Sequence, residues 1–126
     1  MNWNRLVGPL ILITMAAMVI QAVQATEEPV ELKNEAVKIQ DIVKNESAFD
    51  NKYVVIVGKI DSECASGCWF IVDDETAQLY VNINPSNFVI PQKRGSNVKV
   101  YGKITTSSGD PAMIGKIVEI NGEVYR

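Results

Sequence analysis

The stretch WFIVDDETAQLYV, residues 69–81, decides the fold of this chain. Its first half extends an apolar run, and its second half alternates between apolar and polar side chains. Alternation with a period of two is the pattern of β-strands. Residues 73–76, DDET, are polar and separate the two halves, as a turn does. We therefore predict a β-hairpin with strands over residues 68–72 and 78–83.

Three more segments follow the same period: YVVIVGKI (53–60), VKVYGKI (98–104) and AMIGKIVEI (112–120). The first two resemble each other, with Gly58 and Gly102 in the same place after the apolar run. A glycine at that place suits a strand that bends or bulges to turn the corner of a barrel.

A short helix is predicted before the first strand, over residues 39–44, because three apolar residues recur there at helical spacing. Residues 84–97 form a longer connection without strand pattern. Five short strands with this insertion fit an all-β fold, the five-stranded Greek-key OB-fold barrel. The side chains predicted to point into the barrel are Val54, Ile56, Phe70, Val72, Leu79, Val81, Val98 and Val100.

The first 25 residues have the pattern of an export signal. Arg5 precedes an apolar run over residues 6–20, and Val23 and Ala25 occupy the −3 and −1 positions of a cleavage site. The run is shorter than the roughly 20 residues that span a bilayer. An uncleaved signal anchor is the alternative. Both interpretations place the protein outside the cytoplasm: secreted, periplasmic or anchored to the outer side of the cytoplasmic membrane, with membrane contact only if residues 1–25 are uncleaved.

The rest of the chain divides into two parts. Residues 26–36, TEEPVELKNEA, contain four glutamates and little apolar periodicity, which predicts a linker. Residues 37–126 are predicted to be the OB-fold domain.

The composition limits the chemistry. The 126 residues include 12 Lys and Arg, 15 Asp and Glu and no His, for a net charge of −3. The absence of histidine excludes Ser-His-Asp and Cys-His catalysis and every His-ligated metal site. The isolated glycines do not form a phosphate-binding loop. We therefore expect no enzymatic activity, no cofactor and no bound metal.

The predicted hairpin resembles OB-fold domains of the tRNA/helicase nucleic-acid-binding type, whose core reads F-x-L-x-D-x-x-A-x-L-x-V. The likeness extends over residues 39–120 and is mainly a packing pattern, so it indicates fold more than function. It implies a ligand on the face of strands two and three, and nucleic acid as one class of partner. The matching positions are Phe70, Val72, Asp74, Ala77, Leu79 and Val81, with Val72 where leucine is usual.

Strand alternation predicts the ligand face. If Phe70 and its counterparts fill the barrel, Trp69 and Tyr80 point outward, where they can stack on bases or sugar rings. The alternative is that Trp69 is covered by Phe88 and Ile90 and enlarges the core. The net negative charge disfavours general nucleic-acid binding. The sequence leaves the ligand open between an oligonucleotide, an oligosaccharide and a protein. The candidate ligand-binding residues are Trp69, Tyr80, Asn82 and Lys103.

The two cysteines are the most distinctive motif. CASGCW (64–69), with FVIP (88–91), resembles a family of secreted bacterial and archaeal domains without established activity. Outside the cytoplasm we expect a disulfide between Cys64 and Cys68 that fixes the loop. A soft-metal site for an ion such as Cu(I) and a redox-active dithiol are the alternatives. The predicted function is thus a non-catalytic extracytoplasmic binding module, with a metal or thiol-redox protein or a structural envelope component as alternatives.

Overall fold

The structure is a computed structural model that describes residues 28–107 and 109–126. The predicted signal or anchor, residues 1–25, lies outside the described residues. Among the described residues, no helix combines the length and the hydrophobicity needed to cross a bilayer. The elements in chain order are α1 (Ile39–Lys44), α2 (Glu46–Phe49), β1 (Tyr53–Glu63), β2 (Trp69–Asp73), β3 (Gln78–Asn82), β4 (Asn97–Thr105), β5 (Ala112–Ile120) and β6 (Glu123–Tyr125).

Five of the strands form a closed barrel. They pair in the order β3-β2-β1-β4-β5, and a parallel pairing of β3 with β5 closes the ring. All other pairs are antiparallel. This is the five-stranded OB-fold predicted from the sequence, with the predicted helix α1 placed before the first strand.

The long strand β1 bends and pairs with two neighbouring strands. Its first half pairs with β4 and its second half with β2, and Lys59 takes part in both pairings. A Cβ atom on Gly58 would lie 2.5 Å from the carbonyl oxygen of Asp73. Gly102 lies at a bulge between β4 and β5, where a Cβ atom would overlap the carbonyl oxygen of Ile114. Both glycines therefore lie at close backbone approaches, and Gly102 lies at a bulge as predicted, whereas the irregularity of β1 falls between Ile60 and Ser62.

The core fills the barrel and is covered at one end by α1. Ile39 and Ile42 of α1 are fully buried and join the barrel side chains in one cluster. Of the residues predicted to point inward, all are buried except Val54, which is half-buried and packs against the core.

The segment predicted as a linker lies against the barrel in its described part. Residues 28–36, here called the N-terminal strap, include a 3₁₀ turn in which Leu32 is only 1% exposed. Ala36 bridges to Val55, which is 1% exposed although it points away from the barrel interior. Glu28 bonds Lys99 of β4 at 2.7 Å. Leu32 is thus a buried apolar residue among the glutamates of the predicted linker, and the 3₁₀ turn that carries it packs against β4.

A sixth strand was not predicted. β6 pairs with the end of β5 through a tight turn, in which Asn121 and Gly122 both have positive φ. Asn-Gly after an alternating strand is a strong signal for a hairpin turn. The sequence therefore contained the evidence for this strand.

Candidate functional site

The outer face of β2 and β3 carries a pair of aromatic side chains, here called the Trp69–Tyr80 face. Trp69 lies opposite Asn82, and Ile71 lies opposite Tyr80, so the two aromatic residues are diagonal neighbours. Their ring centroids are 5.6 Å apart at an interplanar angle of 36°. Tyr80 is 40% exposed and Trp69 is half-buried. Both rings thus support each other and leave surface free for contact.

Trp69 lies outside the buried core cluster. Its neighbour Phe70 is fully buried, and strand alternation turns Trp69 to the other side. Ile90 belongs to the barrel cluster and Phe88 packs against it. The alternation therefore places Trp69 and Tyr80 outward, as predicted.

Asn82 lies on the same face beside Trp69. It is half-buried, and its Oδ1 atom accepts the backbone N–H of Asn84 at 3.1 Å. The oxygen therefore holds the turn that leaves β3, and the amide nitrogen is the group that can contact a ligand.

Lys103 lies away from the pair. It is on β4, where it pairs with Tyr53 of β1 and Ile114 of β5. Because β5 separates β4 from β3, Lys103 is two strand spacings, roughly 10 Å, from Asn82. The structure thus brings three of the four predicted residues together and leaves Lys103 at the margin.

Two apolar residues on this face were missed by sequence reasoning. Ala112 pairs with Tyr80, and Ile114 pairs with Asn82, through the parallel contact that closes the barrel. Both are half-buried. No local pattern reveals which strands meet when a barrel closes, so the sequence offered no signal for them.

The cysteine loop at the edge of this face has a fixed backbone. The N–H of Cys64 donates to the carbonyl of Trp69 at 2.9 Å, and the N–H of Ile83 donates to the carbonyl of Cys68 at 3.1 Å. Gly67 is buried, has a φ of +78°, and accepts a hydrogen bond from the N–H of Ile90 at 3.2 Å. The loop is therefore held by strands β2 and β3 and by the segment after them.

The sulfur atoms of Cys64 and Cys68 lie side by side at 2.6 Å with no bond assigned between them, which is closer than two separate thiols can approach. The Ser66 hydroxyl lies 3.1 Å from the Cys64 sulfur and 3.7 Å from the Cys68 sulfur. Hydrogen bonds from the Cys68 thiol, the Ser66 hydroxyl and the backbone N–H groups of both residues lower the pKa of Cys64 to about 6. The sequence showed no helix that would do this. The loop itself supplies the donors.

The surroundings of the two sulfur atoms add little to a metal site. The nearby carboxylate of Glu63 is occupied, because it accepts the backbone N–H groups of Lys93 and Arg94. Within residues 28–107 and 109–126, no three His, Cys, Asp or Glu side chains are grouped to hold a metal ion.

The acidic turn between β2 and β3 has a structural task. The Oδ2 atom of Asp74 accepts the N–H of Ile39 at 2.8 Å, and Oδ1 accepts the N–H of Thr76 at 2.9 Å and that of Ala77 at 3.2 Å. Burial raises the pKa of Asp74, but these hydrogen bonds outweigh burial, so the pKa of this carboxyl is lowered. Asp74 thus joins the hairpin to the first turn of α1.

An open groove of about 580 Å³ runs beside this turn, at the other end of β2 from Trp69. Its wall mixes acids such as Asp61 and Asp73 with the bases Lys59 and Arg94. This groove has no aromatic side chain in its lining. The Trp69–Tyr80 face is therefore the better candidate for stacking.

Comparison with solved structures supports the fold. The hypothetical protein YgiW from E. coli matches with a TM-score of 0.51 and 16% sequence identity, over 78% of this chain and 99% of its own. The asparaginyl-tRNA synthetase from Pyrococcus horikoshii matches with a TM-score of 0.50 and 23% identity. That match covers 70% of this chain and 23% of the synthetase. No protein-family model and no curated protein matches the sequence. The likenesses show an OB-fold.

Proposed function

We propose that this chain is a non-catalytic, extracytoplasmic binding module whose ligand stacks on the Trp69–Tyr80 face. The observation that supports the proposal is the pair of partly exposed rings at 5.6 Å on the outside of a closed barrel. OB-folds use the corresponding strands for oligonucleotides and oligosaccharides. Of the two exposed aromatic pairs, Trp69–Tyr80 and Tyr53–Tyr101, the first lies on the strands that OB-folds use for ligands.

The net charge of the chain limits the classes of ligand that can bind. With a net charge of −3, binding driven by many phosphate contacts is unfavourable. Stacking on aromatic rings tolerates any planar base or sugar ring. We therefore propose that the ligand is a short single-stranded oligonucleotide, an oligosaccharide or a protein segment that is held mainly by stacking.

Titration of the full chain with single-stranded RNA, single-stranded DNA, oligosaccharides and an exposed-peptide library tests the proposal. For the class that binds, Tyr80→Ala should weaken affinity by about 1–3 kcal/mol, which is roughly 5–150-fold in Kd. Tyr53→Ala is the matched control. Tyr53 is 49% exposed and stacked on another ring, Tyr101, but it lies at the β1–β4 side of the barrel. Equal losses in both variants, or no binding in any class, would reject the proposed site.

The extracytoplasmic location is proposed from the pattern of residues 1–25. N-terminal sequencing of the protein recovered outside the cytoplasm should begin at Thr26. An intact N-terminus in the membrane fraction would replace cleavage by anchoring, with the domain still outside. Recovery of the protein only from the cytoplasm would contradict both.

A further inference from the structure

We infer that Cys64 and Cys68 form a reversible thiol–disulfide couple, in which Cys64 is the attacking sulfur and low-molecular-weight disulfides are the exchange partners. The inference rests on the geometry of the cysteine loop and is independent of the proposed ligand. It goes beyond a structural bridge because it assigns different roles to the two sulfur atoms.

The loop holds the two sulfur atoms next to each other. They lie on a backbone that strand and loop hydrogen bonds already fix. Gln92 adds a further bond to the loop, from its Nε2 atom to the carbonyl of Ala65 at 2.7 Å. The reduced form therefore needs little backbone movement to reach the oxidised form, which is the condition for ready interconversion.

The surroundings of the two sulfur atoms differ. The Cys64 sulfur lies 3.1 Å from the Ser66 hydroxyl, which can donate to it when Cys64 is a thiolate, as can the backbone N–H groups of Ser66 and Cys68. The Ser66 hydroxyl is farther from the Cys68 sulfur, at 3.7 Å. Donors that converge on one sulfur stabilise its thiolate, which is the nucleophilic form. The depressed pKa of Cys64 agrees with this asymmetry.

Access to the attacking sulfur is open. Cys64 is partly exposed, and the neighbouring Ala65 and Ser66 are exposed. A bulky protein partner is not required by the geometry.

The exchange proceeds in two balanced steps. The Cys64 thiolate attacks one sulfur of a disulfide such as oxidised glutathione, the sulfur–sulfur bond breaks, and one glutathione leaves as a thiolate. The Cys68 thiol then loses its proton to solvent, and its sulfur attacks the Cys64 sulfur and releases the second glutathione. Two protein thiols are oxidised and one small disulfide is reduced to two thiols.

The short ring keeps the couple reversible. A cross-link between residues four apart removes little chain entropy from the unfolded state, compared with one that closes a long loop. Folding therefore does little to lock the bond in its oxidised form. The equilibrium between dithiol and disulfide therefore depends mainly on the two sulfur atoms and their immediate surroundings.

The first test equilibrates the full chain in buffers that range from reduced to oxidised glutathione, followed by acid quenching, alkylation and intact-mass measurement. The expected result is one transition between a form with two alkylated cysteines and a form with none. Cys68→Ser should instead accumulate glutathione on Cys64. Two free thiols in every buffer, a bridge that persists in every buffer, or cross-linked dimers would overturn the inference.

The second test assigns the attacking sulfur by comparing alkylation rates at pH 6 of Cys64 in the Cys68→Ser variant and of Cys68 in the Cys64→Ser variant. The Ser66 hydroxyl and the loop N–H groups that lower the pKa of Cys64 remain in the Cys68→Ser variant, so Cys64 should be alkylated faster than Cys68, although a low-pKa thiolate is a weaker nucleophile. Equal rates, or a faster Cys68, would overturn the assignment.

The third test measures the pH midpoint of Cys64 alkylation in the Ser66→Ala variant, a quantity that separates loss of the hydroxyl from loss of structure. Removal of the hydroxyl donor should move the pH midpoint of Cys64 alkylation upward, because the thiolate loses one of its hydrogen bonds. The tryptophan emission of the folded chain serves as the control for folding. An unchanged midpoint would remove Ser66 from the couple and overturn this account of why Cys64 attacks.

Discussion

Gly67 fixes the shape of the cysteine loop, because its φ of +78° and its packing both require the absence of a side chain. A Cβ atom there would overlap the carbonyl oxygen of Ile90. Gly67→Ala should cost about 1–2 kcal/mol for the backbone conformation and about 1–3 kcal/mol more for the overlap. Gly95→Ala is the control, since Gly95 has a φ of +85° with nothing within 4 Å. In chemical denaturation, Gly67→Ala should have a clearly lower free energy of unfolding than Gly95→Ala. Equal losses of stability in the two variants would contradict the packing argument.

Asp74 has a pH-dependent effect on stability. Its pKa in the folded protein lies below the ordinary value of 3.8, so its contribution is fully present above that value and is lost as the pH falls through the folded pKa. Asp74→Asn should destabilise the protein by about 1–2 kcal/mol near pH 7, because an amide cannot accept at both oxygen positions.

The free energy of unfolding of both proteins, measured from pH 7 down to pH 2.5, checks this prediction. The gap between wild type and Asp74→Asn should hold to about pH 5 and shrink below about pH 4. A gap of constant size would show that the carboxylate charge is not involved.

At the scale of single elements, β2 has two faces with different tasks. Phe70 is fully buried and fills the barrel, and Trp69 next to it is half-buried on the outside. Phe70→Ala should lose about 3–5 kcal/mol of stability, and Trp69→Ala less than about 2 kcal/mol. Denaturation midpoints of the two variants decide the matter. A loss for Trp69→Ala as large as for Phe70→Ala would make Trp69 a core residue and remove the basis of the proposed ligand face.

The N-terminal strap is expected to contribute to the stability of the fold mainly through one side chain, that of Leu32. Leu32 is 1% exposed, and Val30 in the same 3₁₀ turn is 71% exposed. Leu32→Ala should destabilise the protein by about 2 kcal/mol, the low end for a buried leucine because a surface segment can relax around the cavity. Val30→Ala should change stability by less than about 0.5 kcal/mol. Thermal or urea unfolding of the pair tests whether the strap is part of the folded unit; no loss for Leu32→Ala would show that it is not.

Periodicity predicted the elements that depend on local sequence. The hairpin of residues 69–82, the helix α1 and the glycine corners follow from patterns within a few residues. The strap, the neighbours of Tyr80 across the barrel closure, and the donors around Cys64 do not. Each of these depends on which distant parts of the chain come into contact. Leu32 is buried although the charged composition of its segment predicted a linker.

At the scale of the whole molecule, closure of the barrel depends on contacts between distant parts of the chain. β1 pairs with β4, and β3 pairs with β5. Folds dominated by such non-local pairings fold in milliseconds to seconds, because loop closure precedes the stabilising contacts. Stopped-flow refolding of the full chain, followed by tryptophan emission, should resolve a main phase in that range. Completion of folding in microseconds would contradict this expectation.

The chain joins the barrel at the side opposite its aromatic face. Glu28 is held by Lys99 on β4, and β4 is separated from β2 and β3 by β1 and β5. An attachment made through the segment before Glu28, whether to a bilayer, a solid support or a fusion partner, therefore holds the barrel on its β4 side, opposite β2 and β3. Trp69 and Tyr80 then face away from the attachment point. The proposed ligand face therefore lies on the side of the barrel away from the attachment point.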